Sequence, residues 1–301
     1  MLAIGTSGLA CSNSDQPDLS SPNVDNMSEF MQNTAEAISD AKDKLHRLSN
    51  DGKNTNANAK PICFEKVKPF VHSICTVSRA DLSQGTDLLR LFWKPAGTPS
   101  ADKPLYTFDN LLADLPNDTT LKFAMNAGMY NAEFAPIGYT VMDGEEVLSL
   151  NLNEGGGNFH LMPNGVFWWE DLENGGKVHV TESKQLAKML DKGVAKPEFA
   201  TQSGPMLVID GQIHPKFDPQ SQSLKIRNGV GVCSDGSVQF VISDEPVNFY
   251  NFARLFRDDL GCPNALFLDG GIASALYAPD IDRNDGKNMG VMVGLVEVNE
   301  E

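Results

Sequence analysis

Three times in this sequence an Asp-Gly pair sits between two apolar runs: in "YTVMDGEEVLSLN", in "MLVIDGQIH" and in "NGVGVCSDGSVQFVIS". Asp-Gly suits the central positions of a tight hairpin turn, where the backbone must take positive φ. Each stretch therefore predicts two antiparallel strands rather than a strand and a helix. Further runs rich in β-branched and aromatic residues, "HSICTVSR", "LLRLFWK", "NALFLD" and "MGVMVGLVEV", add strands. Helical spacing is confined to "YTFDNLLADL", "SKQLAKML" and "NFYNFARLFRDDL". The last of these carries Phe249, Phe252, Ala253, Phe256 and Leu260 along one face. Strands and helices do not alternate regularly, which argues against a doubly wound sheet or a (β/α)8 barrel. The expected class is α+β. A single domain of mixed, largely antiparallel sheet with a few covering helices spans residues 62–301, preceded by an N-terminal helix.

Before Ile62 the pattern changes. "MLAIGTSGLAC" is a short apolar and small-residue stretch that ends at Cys11 and gives way to the polar "SNSDQPDLSSPN". It reads as a bacterial lipoprotein signal with lipid attachment at Cys11 and a flexible tether to residue 25, although no Lys or Arg precedes it. An unprocessed N-terminus is the alternative. Met27, Met31, Thr34, Ile38, Ala41, Leu45 and Leu48 recur at steps of three and four. They draw one stripe on an amphipathic helix over 26–49, available for docking on the main domain or for self-association. "SNDGKNTNANAKP" ends that helix and makes residues 50–61 a linker.

Charge narrows the partners. The formal net charge is −16, and a field of that sign repels nucleic-acid phosphates and anionic lipid surfaces. No apolar run reaches the roughly 18 residues of a spanning helix. Cysteine usage points to a compartment. With Cys11 set aside, Cys63, Cys75, Cys233 and Cys262 remain. "CFEKVKPFVHSIC" reads as two strands turning at Lys68-Pro69, which sets Cys63 opposite Cys75. A disulfide there requires an oxidising compartment such as the periplasm or cell envelope; free buried thiols are the alternative, and the same choice is open for Cys233 and Cys262. There is no CxxC and no paired-His spacing, so neither a metal nor a cofactor is expected.

Four glycine-bearing polar clusters lie at the edges of apolar runs: "MNAGMYN", "GGGNFHLMPNGVF", "TQSGPMLV" with "IRNGVGV", and "LDGGIAS". Glycine after a strand allows close approach to the backbone, and successive amides there can form an anion-binding concavity. Asp269 is the carboxylate in the last cluster, and Gly270 and Gly271 clear the space beside it. A simple turn in which Asp269 caps the next segment is the alternative. Arg227 stands out because only seven arginines occur, and its planar fork matches phosphate or carboxylate.

"FAMNAGMY", "GNFHLMPNGVF", "ATQSGPMLVIDGQIH", "IRNGVGV" and "LFLDGGIAS", in this order and spacing, resemble the phosphodiester glycosidase domain family over about residues 62–298. The matching positions are Asn126 and Gly128, the Ser203-Gly204-Pro205 turn, Arg227, and Asp269, Gly270, Gly271 and Ser274. Ile272 and Ala273 depart from the family pattern, so the sugar pocket is expected to be reshaped. The resemblance implies a glycosidase acting on a sugar-phosphodiester. In that reading Asp269, with Glu133 as a second candidate, stabilises the oxocarbenium-like centre or activates water. Arg227 and the amides near Ser203, Gly204, Gly270 and Gly271 stabilise the departing phosphate. Asn126, Asn158, Gln202 and Asn228, with Gly128 and Ser274, line the sugar site; Tyr130 and Phe159 stack on it. His160, on an apolar run, is read as structural before acid or base. A phosphate-free polysaccharide glycosidase and a non-catalytic sugar- or glycophosphate-binding lipoprotein are the alternatives.

Overall fold

A computed structural model describes residues 60–83, 87–96 and 103–299. The Cys11 attachment site, the tether, the 26–49 helix and most of the linker lie outside the described residues.

Three sheets make up the described chain. The first has seven strands in the order Cys63–Lys66, His72–Val77, Val238–Ser243, Arg227–Val232, Asn264–Gly270, Met206–Ile209 and Gln212–Ile213. The second runs Arg283–Asn284, Leu276–Ala278, Thr119–Asn126, Met292–Val298, Asp87–Phe92. The third runs Glu145–Leu148, Thr140–Met142, Phe199–Ser203, Gly165–Trp169, Val178–Glu182. The arrangement is consistent with α+β. The expected mixture of strand directions is corrected in one respect: every strand pairing among the described residues is antiparallel. The hairpin turns account for much of this, because a two-residue connection can only reverse the chain. Asp143-Gly144 and Asp210-Gly211 both take positive φ, as such a turn demands, and Gly236 does so in the third hairpin.

One inner core is shared by the three sheets. Phe240 from the first sheet contacts Phe123 of the second, 4.9 Å between ring centroids, and Phe167 of the third, 5.7 Å. Leu266, Leu295, Trp169 and Phe199 complete this layer. Each sheet carries a second apolar cluster on its other face, associated with one helix. Phe249–Arg254 continues as a wider turn through Leu255–Asp259 and buries Phe252 and Phe256 against Leu207 and Phe267. Phe108–Asp114 buries Phe108 and Leu111, and Ser183–Asp191 buries Leu186. Cys63 pairs with Cys75 across adjacent strands and the two form a disulfide; Cys233 and Cys262 form another. Two disulfides are what an oxidising compartment permits. No helix among the described residues is long and apolar enough to cross a membrane.

Candidate functional site

Asp269 lies near the end of Asn264–Gly270, where the pairing with Arg227–Val232 is irregular. Gly229 faces Phe267 and Arg227 faces Gly270, so one extra residue is accommodated opposite Asn228. A bulge of this kind breaks the in-out alternation of a strand and re-aims a side chain. The neighbouring glycines have different jobs. A Cβ on Gly270 would come within 2.7 Å of the Phe267 ring, so this glycine serves packing. Gly271 takes φ +67° with open space around it, so here the chain turns and the surroundings are clear.

A closed ring of hydrogen bonds holds the Asp269 backbone. Its N–H donates to Asn228 Oδ1 (3.0 Å), and Asn228 Nδ2 donates to Asn126 Oδ1 (2.8 Å). Asn126 Oδ1 also accepts from the Ala275 amide (2.9 Å), and the adjacent Ser274 hydroxyl donates to the Asp269 carbonyl (3.3 Å). Asn126, Asn228 and Ser274 are fully buried. Buried amides of this kind are stable only when paired, and the ring pairs nearly all of them. The exception is Asn126 Nδ2, which is buried and has no partner among the described residues. The Ser203 hydroxyl donates to the Leu268 carbonyl one residue before the carboxylate.

Burial pushes the Asp269 carboxyl up to about 6; the Gly270 amide, 2.7 Å from Oδ1, opposes this only in part. The group therefore passes between acid and carboxylate close to neutral pH, the range in which a carboxyl is useful for proton transfer. Tyr130 is its neighbour: burial, and then the charge of Asp269, raises the phenol. The Tyr130 ring stacks on Phe134 and its hydroxyl donates to the Asn288 carbonyl at 3.3 Å.

Arg227 is paired through its backbone with Gly270, one residue from Asp269, yet its guanidinium is committed to uncharged partners. Nε donates to the Val247 carbonyl (2.8 Å), Nη2 donates to the Ser223 carbonyl (2.9 Å), and the guanidinium lies 3.5 Å from the Phe249 ring centroid. Burial lowers its pKa to about 10, so it stays charged at neutral pH. Those bonds leave Nη1 as the nitrogen without a carbonyl partner among the described residues. The expectation of bare amides beside Asp269 is corrected: Gly270 N–H is taken by the carboxylate itself and Gly271 N–H by the Ile226 carbonyl, 2.9 Å.

The remaining sequence candidates form a second group. Gln202 Oε1 accepts from the amides of Tyr139 (2.9 Å) and Asn151 (3.0 Å), and its Nε2 donates to the Asn151 carbonyl and the Ser183 hydroxyl. That side chain stitches the 137–151 segment to its own strand. Gly128 donates its N–H to Thr201 Oγ1 (3.0 Å), and a Cβ there would lie 2.5 Å from the Gln202 carbonyl. Gly204 lets the Phe159–Asn164 loop approach, since a Cβ would meet Asn164 Cβ at 2.7 Å. Phe159 is buried, and His160 Nδ1 is paired with the Asn153 carbonyl. Asn158 and Glu133 are exposed, the latter in a turn built on Asn131. Among the described residues, neither Asn158 nor Glu133 bonds to the ring around Asp269. Sequence reading passed over Lys287, whose Nζ donates to the Ser274 carbonyl at 2.6 Å. Its one visible signal was a lysine between glycines in "DGKNMG" of an acidic chain.

Comparison with known proteins places this site in context. The family model described as phosphodiester glycosidase matches residues 119–296, which hold Asn126, Arg227, Asp269 and Lys287. An Escherichia coli (strain K12) protein, "Uncharacterized protein YigE", is 34% identical over 198 residues, 66% of this chain and 73% of that protein. The zebrafish N-acetylglucosamine-1-phosphodiester alpha-N-acetylglucosaminidase catalytic domain, auto-inhibited by its pro-peptide, shares the fold with a TM-score of 0.53. It is 14% identical, with 82% of this chain and 86% of that one covered. A hypothetical protein from Synechocystis also gives 0.53 at 12% identity; 81% of this chain matches, spanning 65% of its length. The match runs over more than half of the chain, all of the third sheet and every residue of the hydrogen-bonded ring, and this chain belongs to the phosphodiester glycosidase family.

Proposed function

We propose that the protein hydrolyses the glycosidic bond of a sugar-phosphodiester, with Asp269 as the carboxyl group at the reacting centre. The observation that carries this reading is a partly buried carboxyl, raised to about 6, with its backbone pinned by Asn228 and Ser274. Holding a reacting group by a packed, hydrogen-bonded surround is what pre-organisation requires. Family membership supports the reaction class.

Phosphate is already a good leaving group, so acid assistance is the lesser need. The ionised form of Asp269 then stabilises the oxocarbenium-like centre or takes a proton from the attacking water. Arg227 Nη1 offers charge to the departing phosphate from a position fixed by Val247, Ser223 and Phe249. Asn126, Asn228 and Ser274 act chiefly by positioning Asp269, while Gln202, Ser203, Gly128 and Gly204 shape the wall beside it. Tyr130 provides a ring face, and Gly271 open space, for the sugar. Asn158 and Glu133 contribute from exposed loops at the rim. The two disulfides and the sequence before Ile62 support residence in the periplasm or cell envelope, with Cys11 as a lipid anchor and 26–49 as a segment for self-association.

The test is turnover of nitrophenyl-sugar phosphodiesters and UDP-N-acetylglucosamine by the full chain. With an accepted substrate, Asp269→Asn should lower kcat by about 100-fold or more, and Arg227→Ala should reduce kcat/KM. Full turnover by both variants would exclude these roles.

A further inference from the structure

The amides beside Asp269 are occupied and most of the Arg227 guanidinium is committed, so the negative charge of such a substrate calls for a further cation beside Arg227 Nη1. Among the described lysines only Lys94, Lys122 and Lys287 are partly buried; the others are exposed. Lys122 is paired with Asp87 and Glu297, and Lys94 lies over the Trp93 ring. Among the described residues Lys287 has neither kind of partner. Its neighbour Asp285 is taken by Arg283 and by the Leu276 amide. In a chain of net charge −16, a partly buried ammonium without a carboxylate is unusual, since acids outnumber bases 40 to 24.

Its position adds meaning to that. Nζ donates one proton to the Ser274 carbonyl, and Ser274 in turn holds the Asp269 carbonyl. The next residue, Asn288, accepts the Tyr130 hydroxyl, and Tyr130 senses the Asp269 charge. Lys287 therefore belongs to the same loop cluster as the carboxyl and the aromatic ring. An ammonium carries three donors, and one hydrogen bond leaves two for a ligand.

We propose that Lys287 is a specificity-determining residue of this site and binds the anionic oxygen of a sugar phosphate. The proposal rests on the hydrolase reading for its substrate class, but not for its test. A lysine acts on phosphate as a compact point charge, so its contribution should be sensitive to charge and salt and tolerant of replacement by Arg.

Binding of glucose 1-phosphate, N-acetylglucosamine 1-phosphate and mannose 1-phosphate to the full chain is measured by calorimetry, next to the same sugars without phosphate. Lys287→Gln and Lys287→Arg are compared with wild type, and thermal melts check that each variant is folded. The expected result is a loss of tenfold or more in sugar-phosphate affinity in Lys287→Gln. The phosphate-free sugar should be unaffected, and Lys287→Arg should recover much of the loss. Equal affinity in Lys287→Gln, an equal loss for both kinds of sugar, or no sugar-phosphate binding by wild type would overturn the proposal. Lys287-dependent binding without hydrolysis of any phosphodiester would retain it and refute the hydrolase reading instead.

Discussion

Asp269 should make the folded protein less stable at the pH where it is ionised. Its carboxyl moves from an ordinary 3.8 to about 6 on folding, chiefly through burial. A little over two decades of proton affinity, at about 1.4 kcal/mol per decade, amounts to about 3 kcal/mol. Below pH 3.8 the group is protonated in both folded and unfolded chains and contributes no difference between pH values. Between 3.8 and 6 the unfolded chain releases the proton while the folded chain keeps it, so stability falls as pH rises. Above about 6 the folded group is ionised too, and the full cost of about 3 kcal/mol persists. Asp269→Asn removes the titration but keeps an oxygen for the Gly270 amide. Denaturant titrations of wild type and variant at a series of pH values should therefore show no pH-dependent gap near pH 4. The variant should become more stable by up to about 3 kcal/mol at pH 7 to 8. A stability gain together with lost turnover is the trade expected at a reacting group. If the gap does not widen between pH 4 and 8, the carboxyl is not raised and its role as described fails.

Further outcomes follow from the same geometry. For an accepted substrate, kcat/KM should rise with pH through about 6 if the ionised Asp269 acts, and a pH-rate profile flat across that range would contradict it. Asn228→Ala strips the partner from the Asp269 amide and one of two donors from Asn126 Oδ1, and the amide left unmet costs about 1–3 kcal/mol, read by chemical denaturation. Gly128→Ala drives a methyl to 2.5 Å from the Gln202 carbonyl and Thr201 Oγ1, both in a packed strand, and should cost about 1–3 kcal/mol in the same assay. Reduction of the disulfides, which link cysteines 12 and 29 residues apart, should remove about 3 kcal/mol for each bridge, visible as a lower Tm in reductant.

The antiparallel frame was readable because its cause is local. Asp143-Gly144 and Asp210-Gly211 need no tertiary contact to favour a reversal, and the strands around Lys68-Pro69 set Cys63 against Cys75 for the same reason. The setting of Asp269, a lone carboxylate between an apolar run and two glycines, was also visible. What was not visible depends on contacts distant in sequence. Asn126 and Asn228 are 102 residues apart, and no feature of either motif says that they bond each other rather than a ligand. Arg227 read as a fork for phosphate or carboxylate, while in the fold it lies under Phe249 and ties two backbone carbonyls. Gly270 and Gly271 read alike in sequence and differ in the fold because only one of them abuts the Phe267 ring.

The ring that holds Asp269 takes Asn126 from one sheet and Asn228 from another. Neither sheet contains it alone, so the locus comes into being only when the two layers have docked. Its amides at Asp269 and Ala275 should exchange with deuterium at the slow rate of whole-molecule opening rather than by local fraying. A chain caught midway through folding would carry an unformed centre, and gain of function would coincide with completion of the native state.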